Sequence, residues 1–262
     1  MGHDQFRRWQ LPRGVTPGVW DYAHDEALAR AYDAKLADSP LSRIDVQFAE
    51  KHFTKPGRLV DLGCGTGRLL IPFAARDFWT LGVDLSADML RVAGQRASEA
   101  GVAVHRLQAN LADLACLDDA SFDYAACLFS TLGMISGSEA RRCVVAHVAR
   151  LLKPGGKFVL HVHNRWFNLW QRGTRGWVIK DWLRSWLLWR QAGDHTAPAH
   201  EGRAALTLHL FTRGEVKRLL TRAGFRIIEI LPLSTAADGR LRCPAWFGRL
   251  RAYGYLIAAT KR

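Results

Sequence analysis

Residues 60–68, VDLGCGTGR, decide the fold of this 262-residue chain. An apolar, strand-like run ends in an acidic residue, and glycines follow at every second position: Gly63, Gly65 and Gly67. Glycine loses much backbone entropy on folding, so three of them close together indicate a turn with positive φ angles or a ligand that lies against the backbone. The stretch therefore predicts a strand, a ligand-binding turn and the start of a helix.

Short β-type runs alternate with helical patterns along the rest of the chain. We predict strands near residues 58–62, 80–84, 103–109, 122–128, 157–163, 225–231 and 253–260. Helical patterns fall at 67–77, 86–101, 138–152 and 212–224, and one or two amphipathic helices precede residue 57. Strands joined by helices of this length run parallel, with helices on both faces of the sheet. Because no helix separates the last two strands, we predict a doubly wound α/β fold with a mostly parallel seven-stranded sheet whose last strand is antiparallel.

The composition favours one domain over residues 1–262. We divide it into a helical lead-in (1–56), a ligand-binding core (57–163), an insertion (164–210) and a C-terminal helix with a strand pair (211–262). No run of 18 apolar residues occurs and the first residues lack a secretory signal, so we expect a cytoplasmic protein. Five cysteines without a CxxC pair predict reduced thiols rather than disulfides or a metal site.

Positive charge is concentrated in the last two-fifths of the chain. Residues 1–160 hold 19 Lys and Arg against 18 Asp and Glu, whereas residues 161–262 hold 18 against 6. A surface of this kind attracts phosphate backbones, acidic lipid surfaces or anionic small molecules, although the charge can also serve solubility alone.

The glycine turn suits a ligand with an amino-acid ammonium better than a dinucleotide. In an open parallel sheet, ligands bind beyond the carboxyl ends of the strands. A dinucleotide needs G-x-G-x-x-G, but Arg68 stands at the sixth position and the pattern is instead D-x-G-x-G-x-G. Asp61 suits an amino-acid ammonium better than a pyrophosphate. At the ends of the next two strands, Asp84 can accept hydrogen bonds from ribose hydroxyls and Asn110 can bind an adenine edge.

Five motifs in this order, VDLGCGTG, GVDLS, QANL, SFDYAAC and LLKPGGKF, resemble the class I S-adenosylmethionine-dependent methyltransferases over residues 57–164, and residues 211–227 do so more loosely. The resemblance implies methyl transfer with S-adenosylmethionine as cofactor. It implies a methionine site at Asp61, Gly63, Gly65 and Gly67, a ribose site at Asp84, and an adenine site at Leu85, Met89, Asn110 and Leu111. Cys64 and Leu128 are expected beside the cofactor. The family often has Asp where this chain has Asn110, whose carbonyl oxygen can still accept from the adenine amino group.

No obligatory catalytic signature is expected, because methyl transfer from a sulfonium needs mainly proximity and orientation. Candidates for substrate contact are Tyr22, Ser130, Thr131, Asn164 and Trp166. His161 and His163 face the same side of their strand, and either can take a proton as a catalytic base if that side is the pocket. A core position is favoured for His161 and a pocket position for His163. Two histidines without a carboxylate imply no metal.

Residues 164–191 hold six of the ten tryptophans. On a helix, Ile179, Trp182, Trp186 and Trp189 share one face that Leu183 and Leu187 broaden, with Lys180, Arg184 and Gln191 opposite. This composition fits a lid packed on the core, an interfacial helix at a membrane, or a surface for RNA bases and phosphates.

The favoured function is methylation of an oxygen or nitrogen atom of a small or amphiphilic metabolite. Two alternatives stay open: methylation of RNA, such as a transfer-RNA base, and a non-catalytic protein that binds S-adenosylmethionine and serves as a partner of another protein. A nicotinamide oxidoreductase is a further, weaker alternative.

Overall fold

The computed structural model describes residues 10–36, 39–171, 173–188, 192–196, 205–236 and 238–262. Seven strands form one sheet in the order β3-β2-β1-β4-β5-β9-β8. They are β1 (Arg58–Leu62), β2 (Trp79–Asp84), β3 (His105–Gln108), β4 (Phe122–Cys127), β5 (Leu152–His163), β8 (Phe225–Pro232) and β9 (Gly254–Lys261). A separate two-stranded sheet pairs β6 (Asp194–Thr196) with β7 (Thr207–His209).

Strands β1 to β5 are parallel to one another, and β9 pairs antiparallel with β5 on one side and with β8 on the other. The predicted fold class is therefore confirmed. Because β1 and β4 are adjacent and parallel, their carboxyl ends lie side by side, at the point where the chain order of the sheet reverses. Asp61 lies there, with Gly82 and Ala126 as its register partners on either side.

The helices predicted at 86–101, 138–152 and 212–224 begin and end within two residues of those bounds, whereas others, such as those at Thr131–Met134 and Gly248–Arg251, were not predicted. The helices are α1 (Pro17–Ala23), α2 (Glu26–Leu36), α3 (Pro40–His52), α4 (Leu70–Ala74), α5 (Ala87–Glu99), α6 (Thr131–Met134), α7 (Ser138–Leu151), α8 (Arg175–Leu188), α9 (Arg213–Arg222) and α10 (Gly248–Arg251). Helix α4 is shorter than the predicted 67–77, because the glycine turn continues almost to its first residue. Local caps fix other starts: the Ser86 hydroxyl accepts from Met89 N at α5, and Thr212 with Glu215 forms a capping box at α9.

Helices cover both faces of the large sheet. On one face, Phe48 of α3 and Phe73 of α4 pack with Leu59 of β1. On the other, Val144 of α7 and Leu220 of α9 join a larger apolar cluster with the strands. Burial of these side chains is the main force that holds the layers together, at roughly 25 cal/mol per Å² of apolar surface removed from water.

The insertion after β5 has structure that the sequence pattern did not reveal. A 3₁₀ helix (Arg165–Leu169) follows β5 directly, and then come α8, β6 and β7. Residue Phe211, just after β7, returns to the large sheet, where its N–H donates to His163 O at 2.9 Å. Three-residue strands are too short for an alternating pattern to be visible, so β6 and β7 were missed.

Strand β5 also differs from its predicted start at residue 157. It begins at Leu152, opposite Phe122, and the pairing then shifts register before Tyr124 meets Lys157. The predicted Pro-Gly turn is thus an irregular opening of the strand. None of the described helices is long and apolar enough to cross a membrane.

Candidate functional site

A cavity of about 290 Å³ opens at the carboxyl ends of β1, β2 and β4. Thirteen of the residues singled out in the sequence line it together: Tyr22, Asp61, Gly63, Cys64, Gly65, Asp84, Leu85, Met89, Asn110, Leu111, Leu128, Thr131 and His163. They come from six separate parts of the chain. Their convergence results from the parallel sheet, which brings the ends of successive strands to one edge.

The glycine turn forms the floor of this cavity. Gly63 and Gly65 have φ angles of +75° and +53°, which side chains rarely adopt. A Cβ atom on Gly63 would lie 2.3 Å from Thr131 Cγ2, so packing against α6 excludes any larger residue there. A Cβ on Gly65 would meet only Tyr32 Cε1, at 3.7 Å. The backbone at Gly65 therefore leaves room for a ligand to lie close to the chain.

Asp84 is held in one orientation at the end of β2. Its Oδ2 accepts from Gly65 N at 2.8 Å, and its Oδ1 accepts from Ser86 N at 2.9 Å. Burial raises the pKa of this carboxyl, although the backbone hydrogen bonds oppose the shift. The carboxylate still lines the cavity, where it can accept hydrogen bonds from a ligand's hydroxyl groups.

Asp61 has an unused hydrogen-bonding atom. The residue is only 3% exposed, and its Oδ1 has no hydrogen-bond partner among the described residues. Burial raises its pKa to about 7, an effect that Arg68 opposes and that Asp84 and Asp45 increase. A buried carboxylate without a partner is costly, and a cationic group in the cavity would relieve that cost. The α-ammonium of S-adenosylmethionine has the required charge, so this site fits the cofactor that the sequence predicts.

Asn110 and the apolar residues near it define the other end of the cavity. Its Nδ2 donates to Arg13 O at 3.0 Å, and its Oδ1 accepts from Ala112 N at 3.1 Å. The amide thus ties the chain before α1 to the end of β3, and a lone pair of its oxygen is left for a ligand. Leu85 and Met89 line the cavity nearby as flat apolar surface.

Most of the remaining wall is apolar and was not predicted. It consists of Val15, Val19, Ala23, Leu69, Phe129, Met134, Ile135, Leu206 and Leu208. Leu208 belongs to β7, so the insertion supplies part of the wall. Apolar residues in loops and short helices carry no signal that distinguishes a cavity wall from core, which is why sequence reasoning missed them.

His163 lies on the cavity and His161 lies behind it. The two imidazole ring centres are 5.4 Å apart. The Nε2 atom of each is buried and has no hydrogen-bond partner among the described residues. Burial lowers the pKa of His163 to about 3, and the neighbouring His161 adds to this, so His163 is neutral near pH 7. A neutral imidazole can accept a hydrogen bond from a ligand.

Asp45 completes this arrangement from helix α3. His161 and Asp45 are both fully buried, and His161 Nδ1 donates to Asp45 Oδ1 at 2.8 Å. The second oxygen, Oδ2, lies 3.4 Å from an Arg68 guanidinium nitrogen. Sequence reasoning missed Asp45, because 116 residues separate it from His161 and only the packing of α3 on the sheet brings them together.

Five predicted site residues do not line the cavity: Gly67, Ser130, His161, Asn164 and Trp166. Gly67 packs against α5. The Ser130 hydroxyl accepts from His163 N at 3.2 Å and so fixes the backbone of that histidine. The Asn164 amide is buried and donates to two backbone carbonyls near α10. Trp166 packs beside the guanidinium of Arg165. Of the five, Ser130 and His161 contact His163 directly.

Comparison with known proteins agrees with this geometry. A family model described as "Methyltransferase domain" matches residues 59–156. A putative methyltransferase of Geobacillus sp. is 30% identical over 143 residues, which cover 53% of this chain and 57% of that protein. The ubiquinone biosynthesis O-methyltransferase of Idiomarina loihiensis is 33% identical over 61% of this chain and 69% of its own length. The corresponding protein of Pectobacterium carotovorum is 32% identical over 63% and 72%.

Two solved structures share the fold. A S-adenosylmethionine-dependent methyltransferase from Methanosarcina mazei aligns with a TM-score of 0.63 and 22% identity, over 82% of this chain and 96% of that one. The 1,6-didemethyltoxoflavin-N1-methyltransferase of Burkholderia thailandensis, with bound 1,6-didemethyltoxoflavin and S-adenosylhomocysteine, aligns with a TM-score of 0.62 and 18% identity, over 96% and 92%. The predicted cofactor is confirmed. This chain belongs to the class I S-adenosylmethionine-dependent methyltransferases.

Proposed function

We propose that this protein transfers the methyl group of S-adenosylmethionine to an oxygen or nitrogen atom of a small aromatic or amphiphilic acceptor. One observation carries the proposal: groups suited to the cofactor and a neutral imidazole suited to an acceptor line the same cavity. Asp61, Gly65 and Asp84 stand on the cofactor side, and His163 lines the cavity with them.

The rest of the cavity supports an acceptor with a large apolar part. Its walls are mainly aliphatic and aromatic side chains, such as Leu128, Phe129 and Leu208. Apolar walls of this kind bind flat or hydrocarbon groups by removing their surface from water. Two of the relatives are named for O-methylation in ubiquinone biosynthesis, and the Burkholderia structure contains an aromatic heterocycle. These names support an aromatic acceptor for this chain as well.

The residues of the chain perform binding, orientation and proton transfer. Bound S-adenosylmethionine supplies a methyl group on a positively charged sulfur, which is already an activated leaving group. Asp61 and Asp84 hold the charged and hydroxylated ends of the cofactor, and the apolar wall excludes water from the acceptor. His163 accepts a hydrogen bond from the acceptor O–H or N–H, which directs a lone pair of that atom away from the ring and into the cavity.

The low pKa of His163 determines when the proton moves. A weakly basic imidazole does not remove the proton from a resting acceptor. The attacked oxygen or nitrogen becomes strongly acidic as its new bond to carbon forms, and His163 then accepts the proton. Behind it, the pair between Asp45 and His161 keeps the neighbouring ring in place. His163 is thus the acceptor-facing base, and His161 is a positioning residue.

Cofactor binding and methyl transfer can be tested in sequence. We expect S-adenosylhomocysteine to bind the purified protein in a calorimeter, and Asp84→Ala to weaken binding by about tenfold or more, since a charged hydrogen-bond acceptor is lost. Asp88→Ala is the matched control, because Asp88 lies one turn further along and does not line the cavity. Tritiated S-adenosylmethionine is then incubated with catechols, phenols, quinols and N–H heterocycles.

Label in an organic-soluble product, lost in His163→Leu, would support the proposal. Binding of S-adenosylhomocysteine with no label from any acceptor or from a cell extract would favour the non-catalytic alternative. Label in a ribonuclease-sensitive fraction would favour RNA methylation and overturn the small-acceptor proposal.

A further inference from the structure

Helix α8 turns its apolar stripe outward. Ile179, Trp182, Leu183 and Leu187 are 49%, 50%, 41% and 64% exposed. Their spacing of three, four and eight residues places them on one side of the helix. Ordinary surface helices bury such a stripe against the core. The predicted Trp189 and Gln191 lie outside the described residues, and the side chain of Trp186 is not described.

The opposite side of α8 holds the helix to the protein by different contacts. Val178 is 1% exposed there. Asp181 forms an ion pair with Arg165 at 2.8 Å, and its Oδ2 accepts from Gly193 N at 3.0 Å. A buried valine and a polar anchor thus fix the orientation in which the apolar stripe faces solvent.

Further exposed aromatic residues lie at the end of the 3₁₀ helix that contacts α8, and just before α10. Trp170, Trp246 and Phe247 are 57%, 66% and 61% exposed. The indole N–H of Trp170 donates to Leu250 O at 2.9 Å, and the 3₁₀ helix before Trp170 packs against both α8 and α10. Among the described residues, eight large hydrophobic side chains are exposed, and seven of them belong to α8, Trp170 and residues 246–247. The eighth, Ile228, lies on β8. Such clustering marks an interaction surface rather than scattered surface hydrophobics.

Basic side chains surround these residues. Arg175, Lys180 and Arg184 are exposed on α8, and Arg242 and Arg249 are exposed around α10. None of the five forms an ion pair with a described acidic group. Four acidic residues of this half of the chain are engaged elsewhere: Asp181 with Arg165, Asp194 and Glu215 with His209, and Glu229 with Lys51. A fifth, Asp238, accepts a hydrogen bond from Arg240 N. The positive charge at this surface is therefore not neutralised within the described protein.

We propose that α8 together with residues 241–251 docks onto the surface of an anionic lipid bilayer, with α8 lying in the plane of the interface. We call this set of residues the α8 surface. An anionic bilayer suits both the apolar stripe and the positive charge of the α8 surface. Its acyl chains bury the leucines and the isoleucine, and its anionic headgroups pair with the arginines. Tryptophan is the residue type that favours the boundary between the two.

The aliphatic residues distinguish this partner from a nucleic acid. Nucleic-acid surfaces use aromatic rings to stack bases and cations to hold phosphates. Ile179, Leu183 and Leu187 would gain little from a base or a phosphate, yet they form most of the described stripe. Their burial requires an apolar medium. This inference goes beyond the proposed reaction and does not depend on it, because it concerns a surface distinct from the residues that line the cavity.

Sedimentation with vesicles tests the proposal on the full chain. We expect the protein to sediment with vesicles of phosphatidylglycerol and phosphatidylcholine, and much less with phosphatidylcholine alone. The double substitution L183S/L187S should lower the partition coefficient by about tenfold or more, since two apolar side chains no longer enter the interface. The matched control is Ile228→Ser, because Ile228 is 45% exposed on β8 and does not belong to the α8 surface, and this change should leave binding unchanged.

A charge variant separates the electrostatic contribution to vesicle binding from the apolar one. Lys180→Glu with Arg184→Glu should reduce binding to the anionic vesicles, and raising the salt concentration should narrow its difference from wild type. All substituted residues are exposed, and thermal unfolding checks that each variant folds. No sedimentation with anionic vesicles would overturn the proposal, as would equal binding of wild type and L183S/L187S. Gel retardation of RNA that the charge variant abolishes, without vesicle binding, would identify nucleic acid as the partner instead.

Discussion

Replacing His209 by glutamine tests what holds the insertion strands onto the domain. His209 ends β7 and is 1% exposed. Its Nδ1 lies 2.6 Å from Asp194 Oδ1, and its Nε2 lies 2.8 Å from Glu215 Oε1. Glu215 belongs to α9, so one imidazole joins the small sheet to a helix of the core. Because Leu208 lines the cavity, the same contacts also fix part of the cavity wall.

The size of the effect follows from these two bonds. A hydrogen bond to a charged group contributes about 1.5–3 kcal/mol when it is shielded from water. The side chains of Asp194 and Glu215 are 45% and 33% exposed, so water replaces part of each interaction. We expect ~1 kcal/mol from each bond after this screening. His209→Gln should therefore lower the free energy of unfolding by ~2 kcal/mol, and Tm by roughly 4–8 °C.

The effect should also depend on pH. Burial alone would lower the pKa of His209, but the hydrogen bonds to Asp194 and Glu215 outweigh burial and raise that pKa above 6.5. A raised pKa stabilises the folded protein fully below the unfolded value, and the stabilisation is lost as the pH rises through the folded value. The difference in unfolding free energy between wild type and His209→Gln should thus be largest near pH 6 and shrink toward pH 9.

Urea unfolding, followed by circular dichroism at both pH values, measures this difference, and hydrogen exchange of the β6 and β7 amides reports the local effect. His195→Gln is the control, because His195 lies on β6 and packs edge-on against Trp177, 4.6 Å between ring centres. It should change the unfolding free energy by less than about 0.5 kcal/mol. The reasoning would be refuted if His209→Gln lowered the unfolding free energy by less than about 0.5 kcal/mol, or by the same amount at pH 6 and pH 9.

Three further predictions concern the cavity. Gly63→Ala would place a Cβ 2.3 Å from a threonine methyl group and should weaken S-adenosylhomocysteine binding measured by calorimetry, whereas Gly155→Ala, with φ of +77° but nothing within 4 Å, should leave binding unchanged. If both substitutions weakened binding equally, backbone strain rather than the close contact with the threonine would be the cause. Since the pKa of Asp61 is about 7, affinity for S-adenosylhomocysteine should fall between pH 8 and pH 6 as the carboxylate is protonated, and Asp61→Asn should bind weakly with little pH dependence. If the affinity of wild type and of Asp61→Asn changed with pH in the same way, Asp61 would not be the partner of the ammonium group. Asp45→Ala should lower the unfolding free energy by about 1–3 kcal/mol because it leaves the buried Nδ1–H of His161 without its acceptor, while Asp45→Asn, which keeps an acceptor oxygen, should cost less. Equal losses in urea unfolding would count against that pair.

The strands and the cavity residues at the ends of those strands were predictable because their signals are local. Gly63, Gly65 and Asp84 lie in short motifs at the ends of strands, and a parallel sheet brings such ends together whatever the loops do. The alternation of strand and helix also predicted the layers on both faces. Asn110 was predicted at the right edge, although its hydrogen bonds to Arg13 and Ala112 were not.

The part of the cavity around His163 was less predictable because it depends on contacts between distant segments. His163, at the end of β5, lines the cavity, whereas His161 does not. Its surroundings could not be inferred, because Asp45 lies on α3, more than a hundred residues earlier in the chain, and reaches His161 only when α3 packs on the sheet. Leu208 reaches the cavity only because β7 pairs with β6 and returns to β5.

The sequence by itself determined the architecture, the family and the cofactor, because hydrophobic periodicity and a glycine turn act over a few residues and leave a readable pattern. Only the tertiary structure decided which way α8 faces, because its periodicity is the same whether the apolar stripe is buried or exposed. Only the tertiary structure also revealed the pairs formed by Asp45 with His161 and by His209 with Glu215. Their free energy comes from burial and proximity, which exist only after the layers have packed.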